Sequence, residues 1–429
     1  MPRPSHSALT AGAAVLLCLL AGLLVADALI ETPPVQRRME RLYALDDPRF
    51  AHELGLLTGP PFLPGTQVRA LLNGDQIFPP MLAAIRSARV SITLETHHHG
   101  AGDVGRAFVD ALAERARQGV KVHVLLDGVG SAAMDPGQLA RLAQAGAQVR
   151  LFQSPRWWQP GGSNHRTHRN LLIVDGHLGF TGSAGVAPRW TGQAQNPEHW
   201  RDTHVEVQGP VVGQMQSVFM DHWAQVTGHV LHGPDYFPAL APAGPVLAQM
   251  LGSSRGGGGG SNGVQLAMLM AMTAASRSID LSAPHFSPDG LIQRTLLDAL
   301  HRGVRVRVVV AGQHADPETG LSPSRASWGP LLRAGATIAE YRPTVYHCKV
   351  LIVDGLFTAL GSATVDHRAY QRSDEATLNT LDRAFASAQT AAFEADLRLA
   401  TAVSHAQWAA RPWREQLRER MALLLGTPL

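Results

Sequence analysis

The chain has 429 residues, of which 45% are hydrophobic and 17% charged. That composition excludes a largely disordered protein and supplies enough apolar material for a buried core. The formal net charge of +3 does not announce a nucleic-acid partner, and two cysteines, Cys18 and Cys348, exclude both a disulfide framework and a cysteine-based zinc cluster. In chain order, the first feature is the uncharged run Leu9 to Val25. It suits a single membrane-spanning helix, and Ala26-Asp27-Ala28 also has the form of a signal-peptide cleavage site. Residues 1–30 are therefore expected to be a membrane anchor or signal segment, with the side of the membrane open. Residues 31–64, with Thr32-Pro33-Pro34, are expected to be a stalk.

Helix-like and strand-like runs then alternate. A helix from Met81 to Arg89 precedes a strand from Val90 to Thr96. A helix from Val104 to Gln118 precedes the strand Val120 to Leu126. A helix from Pro136 to Gln144 precedes the strand Gln148 to Phe152, and Asn170 to Val174 forms a short buried strand. This alternation predicts an α/β fold with a mostly parallel sheet. The same order returns later. HRNLLIVDGHLGFTGSA from His168 matches HCKVLIVDGLFTALGSA from His347. Gly119-Val120-Lys121-Val122 matches Gly303-Val304-Arg305-Val306, and Ser91-Ile92 matches Ser278-Ile279. Two copies of one unit are expected, at 65–245 and, with C-terminal helices, at 264–429. A Gly-rich loop at 246–263 would join them.

The repeated motif carries the chemistry. His347 and Lys349 would project from one strand face, and Asp354 and Gly361-Ser362 follow. His168, Asp175 and Gly182-Ser183 keep that spacing, with Asn170 where the second copy has lysine. Two such units across a pseudo-twofold axis would put two histidines around one site. One imidazole can attack phosphorus while the other moves protons to and from oxygen. Lys349, Ser183, Ser362 and, without a charge, Asn170 would bind the phosphate. No metal or cofactor is required by this logic.

These residues resemble the phospholipase D superfamily and its HxKx4Dx6GS motif, and most of all its bacterial cardiolipin synthase-like branch. Supporting stretches are Asn73-Gly74-Asp75, Arg166 to Gly182, Trp200 to His204, Tyr346 to Lys349 and Arg372 to Leu378. The resemblance implies His168 as nucleophile and His347 as general acid and base, or the reverse. It implies that Asp202 and Glu375, downstream of each motif, orient the imidazoles. Asp175 and Asp354 count among the motif's site residues, with a role more structural than chemical. It implies phosphatidyl transfer or phospholipid hydrolysis at a membrane by a monomeric catalytic unit. A nuclease or an inactive phospholipid binder are the alternatives, and no nucleic-acid partner is expected.

Asn170 is the main departure from the family pattern, and Asn170→Lys is expected to raise turnover. Among His97-His98-His99, alignment of the copies matches His98 to His285 as strand-end residues lining the cleft. A metal site is the lesser reading of that triplet. Trp157-Trp158 falls in a loop before the first motif. Cys348 should face away from His347 and Lys349 as a small core residue.

Overall fold

A computed structural model describes residues 39–152, 166–254, 263–314, 323–365, 373–417 and 419. The chain divides into residues 1–39 and a compact body, Glu40–Leu429. The expected anchor and Trp157-Trp158 lie outside the described residues. Among those described, no helix is long and apolar enough to cross a membrane.

The first unit contains β1 (Leu63–Leu72), β2 (Ser91–Thr96), β3 (Lys121–Asp127), β4 (Gln148–Phe152), β5 (Arg166–Thr167), β6 (Leu171–Val174), β7 (Leu178–Gly182) and β8 (Thr203–Gln208). The second contains β9 (Val246–Gly252), β10 (Ser278–Ser282), β11 (Arg305–Ala311), β12 (Thr337–Tyr341), β13 (Val350–Val353), β14 (Phe357–Gly361), β15 (Ser373–Asp374), β16 (Ala376–Leu381) and β17 (Ala400–Ala402). They build a 15-stranded sheet in the order β17-β12-β11-β10-β13-β14-β16-β9-β1-β8-β7-β6-β2-β3-β4, beside a two-stranded β15-β5 pair. The order reads the same outward from the β9-β1 junction in both directions, apart from β17. The pseudo-twofold axis therefore passes through that antiparallel pair.

Three expectations change here. The sheet is mixed rather than mostly parallel. Only β2-β3, β3-β4, β10-β11 and β11-β12 are parallel neighbours within it. The cause is the motif itself, whose Asp-Gly pair closes a hairpin. Asp175 has φ 52° and Gly176 φ 65°, and Asp354 and Gly355 have φ 54° and 60°. Two successive positive φ values make a tight turn, in which His177 N–H donates to Val174 O and Leu356 N–H to Val353 O, within a three-residue loop between the paired strand ends. The antiparallel pairs β6-β7 and β13-β14 result. Second, residues 246–252 are not loop. They form β9, the counterpart of β1, because Val246, Ala248, Met250 and Leu251 bury apolar side chains. Third, the stalk segment contains a helix, Pro48–Thr58, capped by the Asp47 carboxylate accepting from Arg49 N–H.

Helices cover both faces. Val211–Thr227 packs against the first unit's strands and β9, and Arg383–Arg398 takes the corresponding place in the second unit. One core lies under helices Asn73–Ser87 and Asp103–Arg117 and includes Phe78, Phe108 and Phe180. The other spans both units, from Phe219 and Trp223 to Tyr346 and Phe393.

Candidate active site

Each motif histidine lies just before the first hairpin strand of its unit. The backbone there is held across the junction. His168 N–H donates to Asp374 O at 2.9 Å, and His347 N–H donates to Arg201 O at 2.9 Å. The residue after each of those carbonyls is an acid. As a result the acids pair crosswise. His168 Nδ1 lies 3.0 Å from Glu375 Oε1, and His347 Nδ1 lies 2.8 Å from Asp202 Oδ2. A carboxylate only accepts, so both rings carry hydrogen on Nδ1. Nε2 of each ring is the nitrogen turned away from its acid. The imidazole side chains are 30% and 14% exposed, whereas each acid is 1% exposed. Solvent or substrate can therefore reach the rings but not their acids.

Asp202 is held on both oxygens. Oδ1 accepts from Ser183 Oγ at 2.5 Å and from Thr203 N–H at 2.7 Å. Oδ2 accepts from Trp190 Nε1 at 2.9 Å and from His347. Burial alone would push its pKa up. The His347 charge and hydrogen bond, then the Ser183 hydroxyl, outweigh that and hold it below the usual carboxylate range. Asn73 fixes the same stretch, accepting from Asp202 N–H at 3.3 Å and donating its own N–H to Asp202 O at 3.0 Å. Gly74 has to be glycine, since a Cβ there would lie 2.1 Å from Trp190 O.

The remaining expected site residues fall into two groups. Lys349 of the second unit is half-buried. It is near enough to His97 of the first unit for its charge to help hold that imidazole neutral. His98 is half-buried, its ring 4.2 Å from His97 and 5.4 Å from Trp190. His285 is half-buried, and its carbonyl accepts from Thr364 Oγ1 at 3.2 Å.

Asn170, Ser183, Ser362, Asp175 and Asp354 are engaged elsewhere. Asn170 is 6% exposed. Its Oδ1 accepts from Thr96 Oγ1 at 2.9 Å and His97 N–H at 3.3 Å, and its Nδ2 donates to the carbonyls of His168 and Ser183. The amide thus has no donor directed at a phosphate. Ser183 faces Asp202, and Ser362 Oγ accepts from Ala376 N–H at 2.9 Å. The Gly-Ser pairs act in close packing, since a Cβ on Gly361 would lie 2.1 Å from Ala376 O. Asp175 accepts from the N–H groups of Arg89, Val90 and Ser91, and Asp354 from those of Ser276, Arg277 and Ser278. Both sit at the turn end of their hairpins, a strand's length from the histidines.

A model of the "Cardiolipin synthase, PLD-like domain" family matches residues 81–223 and 268–397. The chain belongs to this family. A protein called cardiolipin synthase A from Pseudomonas putida strain F1 is 34% identical over 327 residues, covering 76% of this chain and 67% of the relative. Cardiolipin synthase A from Pseudomonas fluorescens strain Pf-5 is 31% identical over 367 residues, covering 85% and 76%. The fold is similar to that of phosphatidylserine synthase from Haemophilus influenzae Rd KW20, with TM-score 0.64 and 12% identity over 88% of this chain and 98% of that one. It is also similar to that of polyphosphate kinase from Porphyromonas gingivalis, with TM-score 0.54 and 12% identity over 92% and 58%.

Within this phospholipase D-like frame, two residues stand out that the motif alone does not indicate. His97 packs edge-on against His168 with ring centroids 4.6 Å apart. Burial, then the charges of His168, His98 and Lys349, hold it well below the ordinary imidazole range. Trp190 lies 5.6 Å from His347 and 5.4 Å from His98. A continuous file of rings therefore runs His347, Trp190, His98, His97, His168. Nothing in the sequence pointed to Trp190, since the space that Gly74 leaves for its loop is visible only in the structure. Among the described residues no group of three or more His, Cys, Asp or Glu is arranged to hold a metal ion.

Proposed function

We propose that this chain is a cardiolipin synthase-like phosphatidyltransferase. The crossed His168–Glu375 and His347–Asp202 pairs are the observation that carries the reading. They leave two Nε2 atoms, one from each unit, with fixed tautomers. His168 is the more exposed ring and acts as nucleophile. Its Nε2 forms a bond to phosphorus as the P–O bond to the leaving alcohol breaks. His347 Nε2 gives that alkoxide its proton. An acceptor alcohol then surrenders its proton to His347 and attacks phosphorus, and the P–N bond breaks. Glu375 and Asp202 stabilise the imidazolium forms and hold the rings in line. The Lys349 ammonium neutralises phosphoryl oxygen. Because one chain supplies both half-sites, the catalytic unit is a monomer. The Leu9 to Val25 run would keep it at the membrane where its phospholipid substrates are.

The test is incubation of the full chain with phosphatidylglycerol vesicles. Cardiolipin plus glycerol is the expected result. Phosphatidic acid instead would make water the acceptor and the chain a hydrolase. Saturable binding without product would make it a phospholipid binder. His168→Ala and His347→Ala should each abolish product, by about 10⁴-fold or more for a lost nucleophile or acid and base together with its charge. Full activity in both variants would refute the mechanism.

A further inference from the structure

Behind each reaction histidine lies a buried ionic cluster. In the first, His222 on helix Val211–Thr227 bridges two carboxylates. Its Nδ1 lies 2.6 Å from Glu95 Oε1 and its Nε2 3.0 Å from Asp374 Oδ2. Thr167 Oγ1 donates to Glu95 Oε1 at 2.7 Å, and Phe152 stacks on the imidazole at 4.3 Å. All three ionisable side chains are 3% exposed or less. In the second, Asp396 on helix Arg383–Arg398 accepts from Arg201 Nε at 2.9 Å. The Tyr346 hydroxyl bridges Asp396 Oδ2 at 3.1 Å and Ser282 Oγ at 2.9 Å.

These clusters are counterparts. The register that aligns Ser91-Ile92 with Ser278-Ile279 aligns Glu95 with Ser282. Thr167 and Tyr346 each precede a reaction histidine. Asp374 and Arg201 each precede the acid that serves it. Asp374 pairs with Thr167 in β15-β5, and Arg201 bridges Tyr346 in the same parallel sense. Each cluster therefore crosses the junction between units, pairing a cation of the first unit, His222 or Arg201, with an anion of the second, Asp374 or Asp396. In the first cluster Glu95 adds a second carboxylate from the first unit itself.

We propose that His222 and Asp396 are positioning residues. Each holds the residue before the opposite unit's acid, so that Glu375 meets His168 and Asp202 meets His347. The route is short. Asp374 binds His222 through its side chain and His168 N–H through its carbonyl. Arg201 binds Asp396 through its side chain and His347 N–H through its carbonyl. Displacing either carbonyl moves both the histidine and its acid. Burial and the Arg169 charge push His222 towards neutrality, but Glu95 and Asp374 prevail and raise its pKa. With a carboxylate oxygen against each ring nitrogen, its imidazolium form can donate to both acids at once.

The value of this arrangement for turnover rests on the phosphatidyltransferase reading, so the test has a readout independent of activity. The full chain labelled with ¹⁵N-histidine should show His222 doubly protonated at pH 7. His222→Gln should change the ring signals of His168 and leave those of His347. Asp396→Asn should do the opposite. On phosphatidylglycerol vesicles each variant should lose at least about tenfold in kcat with KM within about twofold, as expected for misplaced groups. Should His222→Gln not fold, Asp374→Asn keeps the His222–Glu95 pair and should move the same His168 signals. Unchanged His168 and His347 signals in every variant would overturn the proposal. A wild-type chain that makes no product would overturn the functional reading, while the ring signals would still decide this one.

Discussion

Asn170 sits two residues beyond His168, with both ends of its amide bonded to neighbours in the first unit. Sequence spacing shows the missing lysine but not what replaces it. In the aligned register the second unit has Ala283 and Pro284 where the first has Thr96 and His97. Neither Ala283 nor Pro284 brings a donor that needs an amide oxygen, so Lys349 is free to serve elsewhere. Thr96 and His97 do bring such donors, and Asn170 accepts from both. The expectation that Asn170→Lys raises turnover therefore reverses. The substitution leaves the Thr96 hydroxyl and the His97 N–H without their acceptor. It should cost roughly 1–3 kcal/mol of stability per buried group left unpaired and should not raise turnover. Denaturant melts and initial rates on the same preparation check both parts. A rate above wild type would show that lysine can be accommodated. The acid partners show the same limit of sequence reading. Asp202 and Glu375 were recognisable as acids downstream of each motif, but their exchange between units depends on contacts far apart in the chain.

At the scale of elements, the helices and parallel strands were legible because apolar spacing and β-branched runs report burial locally. Helix Pro136–Gln144 and strand Gln148–Phe152 have the expected bounds. The antiparallel half was not read, although Asp175-Gly176 and Asp354-Gly355 each lie between apolar runs and that pattern signals a hairpin. The motif aspartate has two structural tasks at that turn. It adopts a positive φ and accepts three N–H groups of the segment entering β2 or β10. Asp354→Ala is expected to lose about 2–4 kcal/mol, since several charge-assisted bonds go at a 9% exposed site and alanine tolerates that φ poorly. Thermal unfolding should show the loss. At a temperature where the variant remains folded, its kcat should stay within about threefold of wild type. A far larger drop in kcat would assign the carboxylate to the chemistry.

Across the whole molecule, titration of buried histidines shapes stability. Burial holds His99, His123 and His204 down to about 4. For a base whose folded pKa is lowered, the unfolded chain takes the proton first. Stability should therefore fall as pH drops from about 6.5 to 4, by on the order of 3 kcal/mol for each of these histidines. His222 acts in the opposite direction. Its folded pKa is raised by Glu95 and Asp374 against burial and Arg169. Its contribution is present below the ordinary imidazole range and is lost as pH rises through the raised value. Melting temperature against pH should peak between the two limbs. In His222→Gln the alkaline limb should flatten while the acid limb remains. An unchanged alkaline limb would remove His222 as its source.

The β9-β1 junction joins the two copies into one sheet within one polypeptide. Were this site assembled from two identical chains, any substitution would appear on both sides of the axis at once. Replacing the motif lysine would then strip both ammonium groups from the site. With the copies fused, the same change is counted once, and Lys349 survives opposite Asn170. Tandem linkage thus gives each half-site its own mutational history. Thr96, His97 and Asn170 could drift together on one side while the other side kept the charge.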